Sequence, residues 1–174
     1  APARRASEAQ VSAPAPVFAD EADFPLHGPW EAPGEVAAAL VVAVDGLGRV
    51  LLQLRDDAPH VPNGGVWAPF GGGVEPGETL RAAALREFEE ETGVLLRPGD
   101  LLPLGRAISP ARRRARLYVF LAAFPGGPEA IRVGEGAGFA FLTPAQVLRM
   151  HVAPALRGMI VAAPDMLARG ARAG

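Results

Sequence analysis

Three observations predict an α/β layered domain. Short apolar runs rich in Val, Ala and Leu recur along the chain, led by VAAALVVAV after Glu35. One central segment, Thr79 to Thr92, carries apolar residues at helical spacing. Helical patterns then return after Thr143, behind further short runs. Strands, a central helix and late helices combine into helices layered on a sheet.

The elements follow in order. Residues 1–33 are rich in Ala and Pro, show no sustained period, and have Val17, Phe18, Phe24 and Leu26 as apolar anchors. They read as an extended arm draped on the domain or on a partner, ahead of a domain spanning 34–174. The run after Glu35 is a buried strand, Asp45-Gly46-Leu47-Gly48 a turn, and Val50 to Leu54 a second strand. Proline, Asn and Gly make DDAPHVPNGG a loop. Trp67 to Phe70 is a short strand entering a glycine loop, Gly71-Gly72-Gly73. Thr79 is the N-cap of the central helix and Gly93 its terminating glycine. Leu101–Ile108 and Leu117–Phe124 are strands joined through Pro110 and an arginine cluster, and Ala137–Leu142 is another. Thr143-Pro144 opens a helix in the N-cap, N1 arrangement, and Ala155–Leu167 is a terminal helix interrupted near Pro164.

Composition removes whole classes of chemistry. At 174 residues the chain suits one core. A net charge of −2 disfavours non-specific nucleic-acid binding. With no cysteine, disulfides, thiol catalysis and thiolate metal sites are excluded. All 17 basic residues are Arg, so no lysine amine takes part. No apolar run reaches the roughly 18 residues of a membrane span, and no signal peptide opens the chain, so a cytoplasmic protein without a membrane partner is expected.

The central helix carries the chemistry. Glu87, Glu90 and Glu91 lie three and four apart and share a face, which continues backwards through Ala84, Ala83 and Leu80. That stripe starts apolar and ends in grouped carboxylates. Such groups repel one another and lose hydration, so they require a counter-charge. Mg²⁺ suits them, because it takes carboxylate oxygens and keeps positions for water and phosphate.

The spacing from Gly72 through Glu78, Arg86, Glu87, Phe88, Glu90, Glu91 and Gly93 to Val94 resembles the Nudix box at every fixed and apolar position. The resemblance, over about residues 35–165, implies an α/β/α sandwich with a mixed β-sheet. It also implies metal-dependent hydrolysis of a nucleoside diphosphate linked to another moiety, with Mg²⁺ or Mn²⁺ as cofactor. By the same resemblance Glu87, Glu90 and Glu91 are metal ligands, and Arg86 orients Glu90. Glu78 is either a helix-start acid or a supporting residue, and Glu89 falls on the opposite face, in solvent. The family usually writes Pro-Gly-Gly where this chain has Pro69-Phe70-Gly71-Gly72-Gly73.

Outside the box, Glu135 sits at the place of a late-loop catalytic base in some members, with an exposed turn as its other reading and Glu129 as a rival. Gly72 and Gly73 allow close approach of backbone to phosphate. Arg55, Arg114 and Arg116 are candidate phosphate ligands, the latter two within a cluster with Arg112 and Arg113 that also reads as a solvated hairpin. Trp67, Phe70 and Phe141 read as core before base-stacking platforms. The length and the late EGAGF segment resemble mutator-type nucleoside triphosphate pyrophosphohydrolases, which release a nucleoside monophosphate and pyrophosphate. Pro110, 16 residues past Val94, keeps an ADP-ribose or nucleotide-sugar pyrophosphatase as the alternative. A nucleotide-sensing module without catalysis is the reading from another class, and a homodimer is compatible with all three.

Overall fold

The computed structural model describes residues 18–57, 64–110, 114–132 and 137–172. A mixed sheet is formed by β1 (Ala37–Val44), β2 (Val50–Leu54), β3 (Trp67–Ala68), β4 (Phe70–Gly73), β5 (Leu102–Ile108), β6 (Arg116–Ala123) and β7 (Gly138–Leu142). Central β1 pairs in parallel with β6, whereas β5–β6, β1–β2, β1–β4, β2–β3 and β2–β7 are antiparallel. Strands β2 and β4 share one edge of β1, at its far and near ends respectively.

Helix α1 (Leu80–Thr92) packs on one face of this sheet, and α2 (Pro144–Val147) with α3 (Pro154–Arg172) on the other. This is the expected α/β/α sandwich. Strand β1 is buried along its whole length because it is covered on both faces. Leu80, Ala83, Ala84 and Phe88 form the inward stripe of α1, all at 0 % exposure. Thr79 Oγ1 accepts the Ala82 N–H at 3.1 Å, and Gly93 ends the helix at φ 70°.

Two expectations need correction. The glycine triplet is not a loop: it is β4, with Ala39 opposite Gly72 and Leu40 opposite Gly71 on β1. Pro69 splits the expected single strand into β3, which follows β2, and β4, which follows β1. Nor does Pro164 interrupt the last helix. The apolar face of α3, including Leu156, Met159, Ile160 and Ala163, is pressed on the sheet, and that packing carries the helix through the proline.

Residues 18–33 lie against the α1 side of the sheet, where β5 and β6 extend beyond the helix. Phe24 is 2 % exposed and meets Tyr118 and Phe120 edge-on, with Phe18 and Trp30 also against Tyr118. His27 N–H and Pro25 C=O bond the backbone of Arg106, so this segment also covers the outer edge of β5. Among the described residues no helix is long and apolar enough to cross a membrane.

Candidate active site

The site begins where α1 lies along β4. The two elements run past each other so that Glu91 meets Gly71, Glu87 meets Gly72 and Arg86 meets Gly73. Backbone demands glycine at 71, whereas at 72 an added methyl would displace a side chain. A methyl group on Gly72 would overlap the Glu87 carboxylate, and one on Gly71, at φ 134°, would overlap the backbone of Ala39 and Leu40. A strand without side chains therefore lets a helix set its acids directly against backbone.

Arg86 is the hub of the first half of the site. Its Nε and Nη2 donate to the two oxygens of Glu78 at 2.9 and 3.0 Å, Nη2 donates to Gly73 C=O at 3.0 Å, and Nη1 donates to Glu87 Oε1 at 2.7 Å. The fork geometry of guanidinium suits this many-sided contact. It holds the Glu78 carboxyl below the usual carboxylate range, chiefly through their direct hydrogen bond. The expected Arg86–Glu90 contact is present, and it is the longest of the arginine's contacts. Glu90 stands 3.5 Å away with its side chain 61 % exposed, and the close partners are Glu78 and Glu87. Glu78 is a supporting residue: from the loop before α1 it holds the arginine that holds Glu87.

Glu91 forms the second half. Its Oε2 accepts the Gly71 N–H at 2.7 Å and stands 3.5 Å from Gln53 Nε2. Burial, and secondly the charge of Glu87, push its carboxyl up to about 7, although Gly71 N–H, the Gln53 amide and the charge of Arg55 pull the other way. A carboxyl that resists ionisation beside a second carboxylate is a site short of positive charge. Glu89 is exposed on the far side of α1, as expected. Among the described residues no three acidic or histidine side chains stand ready as a metal-ligating group, because Glu90 points to solvent while Glu87 and Glu91 turn to β4.

On the α3 side of the glycine strand, Arg55 lines a cavity of about 80 Å³ with Gly71, Gly72, Ser109, Leu40 and Leu156. It is the candidate arginine that the fold brings to the glycine strand. Arg114 and Arg116 go elsewhere. Arg114 donates to Ala32 C=O at 2.7 Å and to Glu31 C=O, and Arg116 is 3 % exposed, donating to Glu35 C=O and lying over the Phe18 ring. Both fasten residues 18–35 to the sheet, and neither lines that cavity. Glu135, Arg112 and Arg113 lie outside the described residues. Phe70 stacks edge-on against Phe88 in the core, and Phe141 against Phe124, so neither is a base platform. Trp67 is half-buried against the α3 side of the core. Sequence reasoning passed over Gln53, although an amide within the apolar run VLLQL was a visible signal.

Comparison with known proteins agrees with this geometry. The NUDIX domain family model matches residues 27–162. An RNA pyrophosphohydrolase of Dinoroseobacter shibae is 45 % identical over 62 residues, 36 % of this chain and 36 % of that protein. A nucleoside triphosphatase NudI of Escherichia coli O1:K1 is 43 % identical over 54 residues, 31 % of this chain and 37 % of that one. The chain thus spans about a third of the length of these curated relatives. Among solved structures, the MutT protein of Methanosarcina mazei Go1 has the same fold, with a TM-score of 0.64 and 22 % identity over 83 % of this chain and 99 % of that one. With a family match across most of its length, a complete box and the sandwich that places it, this chain belongs to the NUDIX domain family.

Proposed function

We propose that the protein is a metal-dependent pyrophosphohydrolase that cleaves a nucleoside triphosphate to a nucleoside monophosphate and pyrophosphate. The observation that carries this reading is the pairing of Glu87 and Glu91 against Gly72 and Gly71, beside a cavity lined by Arg55. The names of the matched relatives, an RNA pyrophosphohydrolase and a nucleoside triphosphatase, support the reaction class.

The donor set fits Mg²⁺ or Mn²⁺: hard carboxylate oxygens, one of them on a group whose ionisation burial opposes and a cation would favour. Glu87 and Glu91 would hold the ion, with Glu90 at the exposed edge. Bound there, a divalent cation polarises phosphate oxygens and acidifies a water. Arg86 keeps Glu87 turned toward β4, and Arg55, whose charge acts on Glu91, would meet substrate phosphate charge beside the glycine strand. Glu90 is placed in solvent reach to accept the proton of the attacking water, with Glu135 as the alternative base. Water adds to phosphorus, the bridging P–O bond breaks, and pyrophosphate leaves with the electron pair.

Chromatographic product analysis over nucleoside triphosphates, ADP-ribose and nucleotide sugars, with Mg²⁺ and with EDTA, tests the reading. Turnover of triphosphates that needs the cation and is lost in Glu91→Gln, but kept in Glu89→Gln, is the expected result. Preferred cleavage of ADP-ribose would move the substrate to the alternative class. Full activity in EDTA would overturn the mechanism.

A further inference from the structure

Gln53 sits where a strand should be apolar. Val50, Leu51 and Leu52 before it on β2 are 0 % exposed, and Gln53 itself is 5 % exposed. A buried amide at such a position needs partners. Its Nε2 lies 3.4 Å from Pro69 C=O and 3.5 Å from Glu91 Oε2. A primary amide carries two N–H bonds, one for each of these acceptors.

The two acceptors belong to different parts of the site. Pro69 is the break at which the chain leaves β2, where Ala68 pairs with Gln53 itself, and joins β1 as β4. Glu91 is in the last turn of α1. One side chain on β2 therefore reaches both the start of β4 and the carboxylate on α1. The Gly71 N–H donates to the same oxygen, Oε2, at 2.7 Å. Both donors fall on Oε2, and Oε1 receives neither of these two hydrogen bonds.

We propose that Gln53 is a positioning residue that, together with the Gly71 N–H, sets the rotamer of Glu91 for metal binding. This rests on the reading of Glu91 as a metal ligand. A donor to an ionised carboxylate favours the charged form that binds metal and restricts which oxygen turns outward. An apolar group of equal volume would fill the space and do neither.

The test is Mn²⁺ titration, followed by electron paramagnetic resonance, of wild type, Gln53→Met, Gln53→Asn and Glu91→Gln, with urea unfolding in EDTA in parallel. Gln53→Met keeps the volume and removes the donors; Gln53→Asn keeps the donors and cannot reach. Both are expected to weaken Mn²⁺ binding about tenfold, and to lower kcat with little change in KM. In the Glu91→Gln background the Gln53→Met effect should vanish, which a merely structural role would not produce. Wild-type Mn²⁺ affinity in both Gln53 variants, or an equal loss in the Glu91→Gln background, would overturn the assignment. If Glu91→Gln itself binds Mn²⁺ normally, the reading of Glu91 fails instead, so the two failures are distinguishable.

Discussion

Gly72 and Glu87 occupy adjoining space: a Cβ on the glycine would lie inside the carboxylate of the glutamate, 2.8 Å from Oε1 and closer still to Oε2. The Glu87 carboxylate can lie this near to β4 because residue 72 has no side chain. Closeness here positions a charged group as well as a backbone.

Gly72→Ala is therefore expected to turn Glu87 away from β4. Mn²⁺ affinity should fall at least about tenfold, with the fold retained in circular dichroism. Gly99→Ala, with open space around the added methyl, serves as control and should bind as wild type. Unchanged affinity in Gly72→Ala would show that Glu87 is not held by this contact.

The Glu78–Arg86–Glu87 chain predicts strong coupling. Arg86→Ala and Glu78→Gln should each reduce kcat/KM by about 10- to 100-fold while leaving measurable Mn²⁺ binding, since neither side chain is assigned to the ion. Their double variant should lose little more than Arg86→Ala alone, because both changes break one network. Fully multiplicative losses would mean that the two residues act separately. Arg86→Lys should not rescue, as an ammonium cannot span Glu78, Glu87 and Gly73 C=O together.

Glu91 predicts a pH effect on the metal-free protein. Its carboxyl rises from an ordinary 4.5 to about 7 in the fold, first through burial and then through the charge of Glu87. The folded state thus holds this proton more tightly than the unfolded chain does. Its stabilising contribution is complete below about 4.5 and is lost as pH rises through 7, on the order of 3 kcal/mol in all. Urea unfolding in EDTA should show wild type losing stability across that interval relative to Glu91→Gln. Parallel pH curves for the two proteins would refute the assignment. A divalent cation favours the ionised form, so metal affinity should increase over the same interval.

Phe24 predicts that the segment before β1 is part of the folding unit. It is 2 % exposed against Tyr118 and Phe120. Phe24→Ala should cost about 3–5 kcal/mol in chemical unfolding. A loss below 1 kcal/mol would mean that the segment merely lies on a surface complete without it.

The catalytic helix was legible from sequence because its information is local. Thr79, Gly93, the Leu80–Ala84–Phe88 stripe and the acids three and four apart all act within four residues of one another, where helical geometry alone decides neighbours. Strands β1, β2, β5, β6 and β7 were legible from their apolar runs for the same reason. Arg86 marks the limit: local spacing pointed to Glu90, but Glu78 and Gly73 C=O were brought closer by the turn before the helix and by β4. Arg114 and Arg116 looked like a phosphate-binding cluster, yet tertiary packing spends them on residues 31–35. Glycines 71–73 composed a loop by type and became a strand because β1 offered a ladder and α1 needed an approach without side chains. That Glu91 meets the Gly71 backbone and the Gln53 amide depended on partners 20 and 38 residues away in the chain. Helical periodicity could group the acids, and only the packing of α1 against β4 and β2 could tell them apart.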